Sequence, residues 1–106
     1  MVEIYYSAEF NKDFVKLKQR TENGNSEARY LLELIQKANS KLSENREAGI
    51  KIPKKLWPKE YVQKHDVKNL WKYNLDPFWR LVYTIQGNEI NLHLIYLMSD
   101  AKHSLY

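Results

Sequence analysis

The side chains best equipped for chemistry in this sequence are cations, because eight of its seventeen lysines and arginines fall within residues 46–72, beside only three acids. They are Arg46, Lys51, Lys54, Lys55, Lys59, Lys64, Lys68 and Lys72, whereas residues 1–45 carry seven bases and seven acids and residues 73–106 carry two and three. So local a surplus fits a polyanion, nucleic acid above all, and equally fits a lysine-rich connection kept soluble by its charge. Arg80 adds a guanidinium that is always charged and whose planar fork can grip two oxygens of one phosphate. Other chemistries fall away. There is no cysteine, which excludes disulfides, thiolate nucleophiles and cysteine zinc sites, and His65, His93 and His103 are spaced too widely for a local metal motif. Gly-rich phosphate loops, dinucleotide fingerprints, nucleophile elbows, heptads and internal repeats are missing, and the carboxylates form no obvious catalytic pair.

These cations need a scaffold. A chain of 106 residues, 43% hydrophobic and 28% charged, suits one compact domain over residues 1–106. No apolar run is long enough to cross a bilayer, and the opening Met-Val-Glu-Ile lacks the regions of a signal peptide, so a cytoplasmic location is expected. Val2 to Tyr6 reads as a first strand, and Ser7 as the N-cap of a helix from near Ala8 with Phe10, Phe14 and Leu17 on its apolar stripe. Glu22-Asn23-Gly24-Asn25 breaks that helix, and Ser26 is expected to cap a second, which carries Leu31, Leu34, Ile35, Ala38 and Leu42 on one face. Asn45 to Gly49 ends this αα-hairpin. In the basic connection that follows, Trp57 reads as either an anchor or a base-stacking residue, and Pro58 as the start of a short helical turn reaching roughly His65.

From Val67 the hydrophobic period becomes two. Residues 67–75, 79–86 and 89–98, joined through Asp76-Pro77-Phe78 and Gly87-Asn88, read as a three-stranded antiparallel meander. One parity holds Trp71, Tyr73, Leu75, Trp79, Leu81, Tyr83, Ile85, Ile90, Leu92, Leu94 and Tyr96, which should pack under the helices. The other holds Lys72, Asn74, Arg80, Val82, Thr84, Asn91, His93 and Ile95, and is expected to stay wet and basic, with His93 either joining a site or hydrogen-bonding structurally. The first strand must join the sheet by a long-range pairing. The expected fold class is α+β, with the N-terminal strand and αα-hairpin on one face of a small, mainly antiparallel sheet.

Three stretches carry a family likeness. Gly49-Ile50-Lys51-Ile52, Asn69-Leu70-Trp71-Lys72-Tyr73-Asn74-Leu75 and Trp79-Arg80-Leu81-Val82-Tyr83-Thr84-Ile85 resemble the "NLxxYxL…WRLxYxI" core of the RelE/ParE superfamily, toxins of type II toxin–antitoxin pairs. The order of elements agrees with that family. The resemblance is closer to the RelE branch, whose members cut messenger RNA in the ribosomal A site, while ParE-type members keep the fold and poison DNA gyrase. Carried over by position, Arg80 matches the arginine that contacts the scissile phosphate in the nuclease branch, and Lys72 the first basic position of the preceding strand. Asn74 stands where that branch often has a second lysine. The ending Lys102-His103-Ser104-Leu105-Tyr106 resembles the family's histidine or basic residue followed three positions on by tyrosine.

RNA cleavage without metal needs a base for the ribose 2′-hydroxyl, cations for the charged phosphorane and an acid for the departing 5′-oxygen. The resemblance implies Arg80 as phosphate clamp, Lys72 as a phosphate-orienting cation or base, and His103 and Tyr106 in proton transfer, the tyrosine also being able to stack on a base. Lys51, Lys54, Lys55, Lys59, Asn74 and Lys102 are expected to bind the RNA, with no metal and no cofactor. The expected function is that of a toxin acting as a metal-independent, ribosome-dependent mRNA endoribonuclease. Its expected partners are mRNA, the ribosome and a cognate antitoxin whose acidic segment would suit residues 46–72, and no membrane. The alternatives are a ParE-like gyrase inhibitor and a non-catalytic RNA-binding relic of the fold.

Overall fold

The computed structural model describes residues 2–57, 59 and 67–97. Strand β1 (Glu3–Tyr6) leads into helices α1 (Ala8–Glu22) and α2 (Ser26–Glu44), then β2 (Ile50–Lys51), a 3-10 turn at Lys54–Leu56, and strands β3 (Trp71–Asn74), β4 (Trp79–Gln86) and β5 (Glu89–Leu97). The strands form one sheet in the order β1-β5-β4-β3-β2. Only the β1–β5 pair is parallel, so the fold is α+β with a mixed, mainly antiparallel sheet.

Capping fixes where the helices begin. The Ser7 hydroxyl accepts from the Phe10 amide at 3.1 Å and donates to the His93 carbonyl, also at 3.1 Å, so one side chain starts α1 and ties it to β5. The second cap is one residue earlier than the sequence suggests, since Asn25 accepts from the Ala28 amide at 2.9 Å and Ser26 is already helical. Asparagine and serine cap about equally well, so sequence alone does not choose between neighbours. Gly24 takes a φ of 88°, a left-handed conformation that lets the chain reverse between the helices without steric cost.

The helices bury one stripe each against the sheet. Phe10 and Leu17 from α1 meet Leu31, Ile35, Ala38 and Leu42 from α2, Leu81 and Tyr83 from β4, and Ile90 and Leu92 from β5. Trp71, Tyr73, Leu75, Trp79 and Ile85 flank this core on the same side, as their alternation requires.

The reverse face departs from expectation. Val82 is fully buried there with Ile52 and Leu70, half-buried Trp57 packs on them, and Thr84 and His93 are also buried. This face is therefore covered in its middle and not wet throughout. The cover comes from the chain around β2, whose Ile50-Lys51-Ile52 alternation adds a two-residue edge strand to the four expected.

Two further differences have local causes. Residues 67–70 are not a strand because the Asn69 side chain takes the place of backbone pairing, donating to the Ile85 carbonyl at 2.7 Å and accepting from the Ile85 amide at 2.8 Å. In β5 the register jumps from Val82↔Leu94 to Tyr83↔Leu92, a bulge with His93 as the extra residue. Beyond it the alternation inverts, so Ile95, expected on the polar face, packs against the main core, while Leu94 and Tyr96 take the register positions opposite Val82 and Arg80.

Tyr83 and Gly49 join the basic connection to the sheet. The Tyr83 hydroxyl accepts from the Gly49 amide at 3.1 Å and donates to the Arg46 carbonyl at 3.0 Å, and burial pushes its pKa up to about 12. A Cβ on Gly49 would collide with the Lys72 carbonyl and lie 2.6 Å from the Tyr83 hydroxyl. Neither backbone nor a buried ring can yield cheaply. Gly49→Ala is expected to lower stability by about 1–3 kcal/mol, read as a reduced urea midpoint at unchanged m-value.

Candidate functional site

The site grows from two strand positions. In antiparallel pairs, directly opposed residues share a face, and the register sets Asn74 against Arg80 and Lys72 against Val82. Since Val82 points away from the helices into the reverse-face cluster, Lys72, Asn74 and Arg80 share that reverse face. Lys72 and Arg80 are diagonal neighbours, roughly 7–8 Å apart between backbone positions. Arg80 and Lys72 are half-buried and Asn74 is exposed, so the three line an accessible patch at the end of the sheet near the β3–β4 turn.

Electrostatics at the patch are set by packing. Burial lowers the pKa of Lys72 below its ordinary value, and the charge of Arg80 lowers it further. The Arg80 Nη1 donates to the Asn74 Oδ1 across the two strands. Where the nuclease branch often has a second lysine, this chain thus has a neutral acceptor that aims the guanidinium instead of repelling it.

The basic connection approaches the same face. Trp57 donates its indole N–H to the Ile52 carbonyl at 2.9 Å and packs on the Ile52, Leu70 and Val82 cluster, so it is the anchor of this segment. Lys54 and Lys55 sit exposed on the 3-10 turn just before it, and Lys59 is exposed just after it. Lys51 is not brought to the patch: it pairs with Trp71 and therefore shares the opposite face. Arg46 spans to the β4–β5 turn, donating to the Gly87 carbonyl and to the Asn88 Oδ1, the latter at 3.2 Å. Lys102, His103 and Tyr106 lie outside the described residues, as do His65 and Lys64.

His93 belongs to a different region. Its Nε2 lies 2.8 Å from the Thr84 Oγ1, and both are buried at the base of a groove of about 630 Å³ lined by Lys68, Asn69, Gln86 and Asn91. Thr84 is four residues along β4 from Arg80, a separation of roughly 13 Å. Arg80 and His93 are thus parts of one face and not of one catalytic cluster. Among the described residues, no group of three or more His, Asp or Glu side chains could hold a metal ion.

Sequence reasoning took Tyr83 as core alone and missed its two hydrogen bonds. A tyrosine in place of phenylalanine at a fully buried strand position was the available signal. It also missed the latch formed by Tyr30, whose hydroxyl donates to the Asp76 Oδ2 at 2.8 Å, because 46 residues separate the partners.

The family model for the ParE toxin of the type II toxin–antitoxin system parDE matches residues 4–101. The chain belongs to this family. It is thus a type II toxin, the toxic half of a pair, and its partner is a cognate antitoxin. The match places the toxin in the RelE/ParE superfamily and specifies no RelE branch. No curated protein and no solved structure matches the chain. No helix of the described residues is long and apolar enough to cross a membrane.

The patch makes a direct electrostatic expectation for this toxin. Replacing Arg80 with glutamine removes a like charge from beside Lys72, so the lysine pKa should rise part of the way back, burial still holding it down. Lysine-selective NMR titration of Arg80→Gln beside the native toxin reads this. An unchanged Lys72 titration would show that the two cations do not sense each other.

Proposed function

We propose that this toxin is a metal-independent, ribosome-dependent mRNA endoribonuclease that inhibits translation, acting in the cytoplasm where its substrate is. The observation that carries the reading is the pairing of Arg80, aimed by Asn74, with a Lys72 whose pKa is lowered by burial and by that same arginine. A fixed guanidinium stabilises charge on the phosphorane, and a lysine made easier to deprotonate is suited to removing the proton from the 2′-hydroxyl.

The step balances without an added cofactor. The 2′-oxygen attacks phosphorus as Lys72 takes its proton, Arg80 holds the non-bridging oxygens, and the bond from phosphorus to the 5′-oxygen breaks. An acid protonates the leaving oxygen, the role proposed for His103 or Tyr106, and the ends formed are a 2′,3′-cyclic phosphate and a 5′-hydroxyl. Lys54, Lys55 and Lys59, exposed on the anchored connection, would contact flanking phosphates, as would Lys102 from the tail. Lys51 would meet RNA only where it wraps the sheet edge.

A second reading has its own support, since the matching family model is named for parDE, and ParE-type toxins poison DNA gyrase. The two readings separate in one experiment. Added to a translating extract containing a metal chelator, the native toxin should cut the message and stop protein synthesis, and Arg80→Ala should cut about 100-fold more slowly or worse. Intact transcripts and undiminished synthesis, together with inhibited supercoiling by purified gyrase, would replace the nuclease reading with the second one.

A further inference from the structure

We propose that Phe78 is a nucleobase platform, stacking on the base next to the phosphate that Arg80 grips. This rests on the RNA-cleaving reading and names a specificity-bearing contact within it. Phe78 is 65% exposed, more than any other large hydrophobic side chain among the described residues. A single exposed ring is ordinary on a protein surface, and what sets this one apart is the cationic and anchored setting in which it stands.

The first reason is position. Phe78 lies two residues before Arg80, so their backbones are at most roughly 7 Å apart, and the Arg80 guanidinium is held at the same end of the sheet by Asn74. A phosphate on Arg80 therefore brings its own nucleotide's base, or the adjoining one, within reach of an aromatic side chain in this turn. The second reason is charge. Lys72, Arg80 and Asn74 stand beside the turn on the reverse face, and two cations there favour an anionic strand carrying flat bases over a purely apolar ligand.

The third reason is preorganisation. The Asp76 Oδ1 accepts from the Phe78 amide at 2.8 Å and from the Trp79 amide at 2.7 Å, while its other oxygen receives the Tyr30 hydroxyl. Burial pushes the Asp76 pKa up, but the Trp79 amide, the Tyr30 hydroxyl and the Phe78 amide outweigh it and hold the carboxyl below its ordinary value. Asp76 stays ionised, and Pro77 restricts the backbone between Asp76 and Phe78. The turn is fixed from both sides, so little backbone freedom remains to be lost when a base stacks on Phe78.

The test uses the intact toxin on ribosomes programmed with a short message, comparing native, Phe78→Ala, Phe78→Trp and Arg80→Ala proteins. Phe78→Ala should raise KM for cleavage roughly 10-fold with a smaller change in kcat, and Phe78→Trp should restore it. A message with an abasic nucleotide beside the cut should cost the native toxin as much as Phe78→Ala does, and the two changes together should cost no more than either. Native KM in Phe78→Ala, or losses that add, would overturn the platform while Arg80→Ala still reported a working nuclease. Weaker antitoxin binding by Phe78→Ala with unaltered cleavage would overturn it in favour of a protein contact. No cleavage by the native toxin would sink the nuclease reading and this proposal together.

Discussion

Everything in this molecule depends on β4 having two faces that do not exchange. Trp79, Leu81, Tyr83 and Ile85 lie under the helical hairpin, and that burial forces Arg80 and Val82 to the other side. A slip of one residue against β3 would carry the Arg80 guanidinium toward Leu81's place in the core and expose Leu81 in return. Burying an unpaired charge in that site is costly, so the hydrophobic pattern of one face fixes which side chains stand on the other.

The reverse face is itself divided. Its middle is a small apolar cluster of Ile52, Leu70, Val82 and Trp57, and this cluster holds the basic connection against the sheet. On one side of it lie Lys72, Asn74 and Arg80, and on the other Thr84 and His93 at the base of a polar groove. Beside the cluster, partial burial lowers the Lys72 pKa and the charge of Arg80 lowers it further.

Much of this was legible in the residues. The helix stripes of Phe10, Phe14, Leu17, Leu31, Ile35 and Leu42 and the strand alternation from Trp71 to Ile85 emerge where their periods place them, and Lys72 shares a face with Arg80. What escaped reading depends on contacts between distant parts of the chain. The bulge at His93 shifts Ile95 to the helix side, yet no residue type announces a bulge there. Asn69 replaces strand pairing through its side chain, which local propensity reads as ordinary turn chemistry. Charge alone points Lys51 toward RNA, whereas its face is set by which residue of β3 stands opposite. Comparison with a lysine makes Asn74 look like a loss, and its bond to Arg80 shows what an amide does in that place.

The family assignment fixes the biological class, a toxin with an antitoxin, and the cleavage chemistry assigned to the reverse face is our proposal. The most direct measurement of that chemistry is the identity of the ends formed on a reporter message after induced expression. The account expects new 2′,3′-cyclic phosphate and 5′-hydroxyl ends within translated codons, made by the native toxin and lost in Arg80→Ala. Arrested growth with no new ends, or with ends that are 3′-hydroxyl and 5′-phosphate, would contradict it.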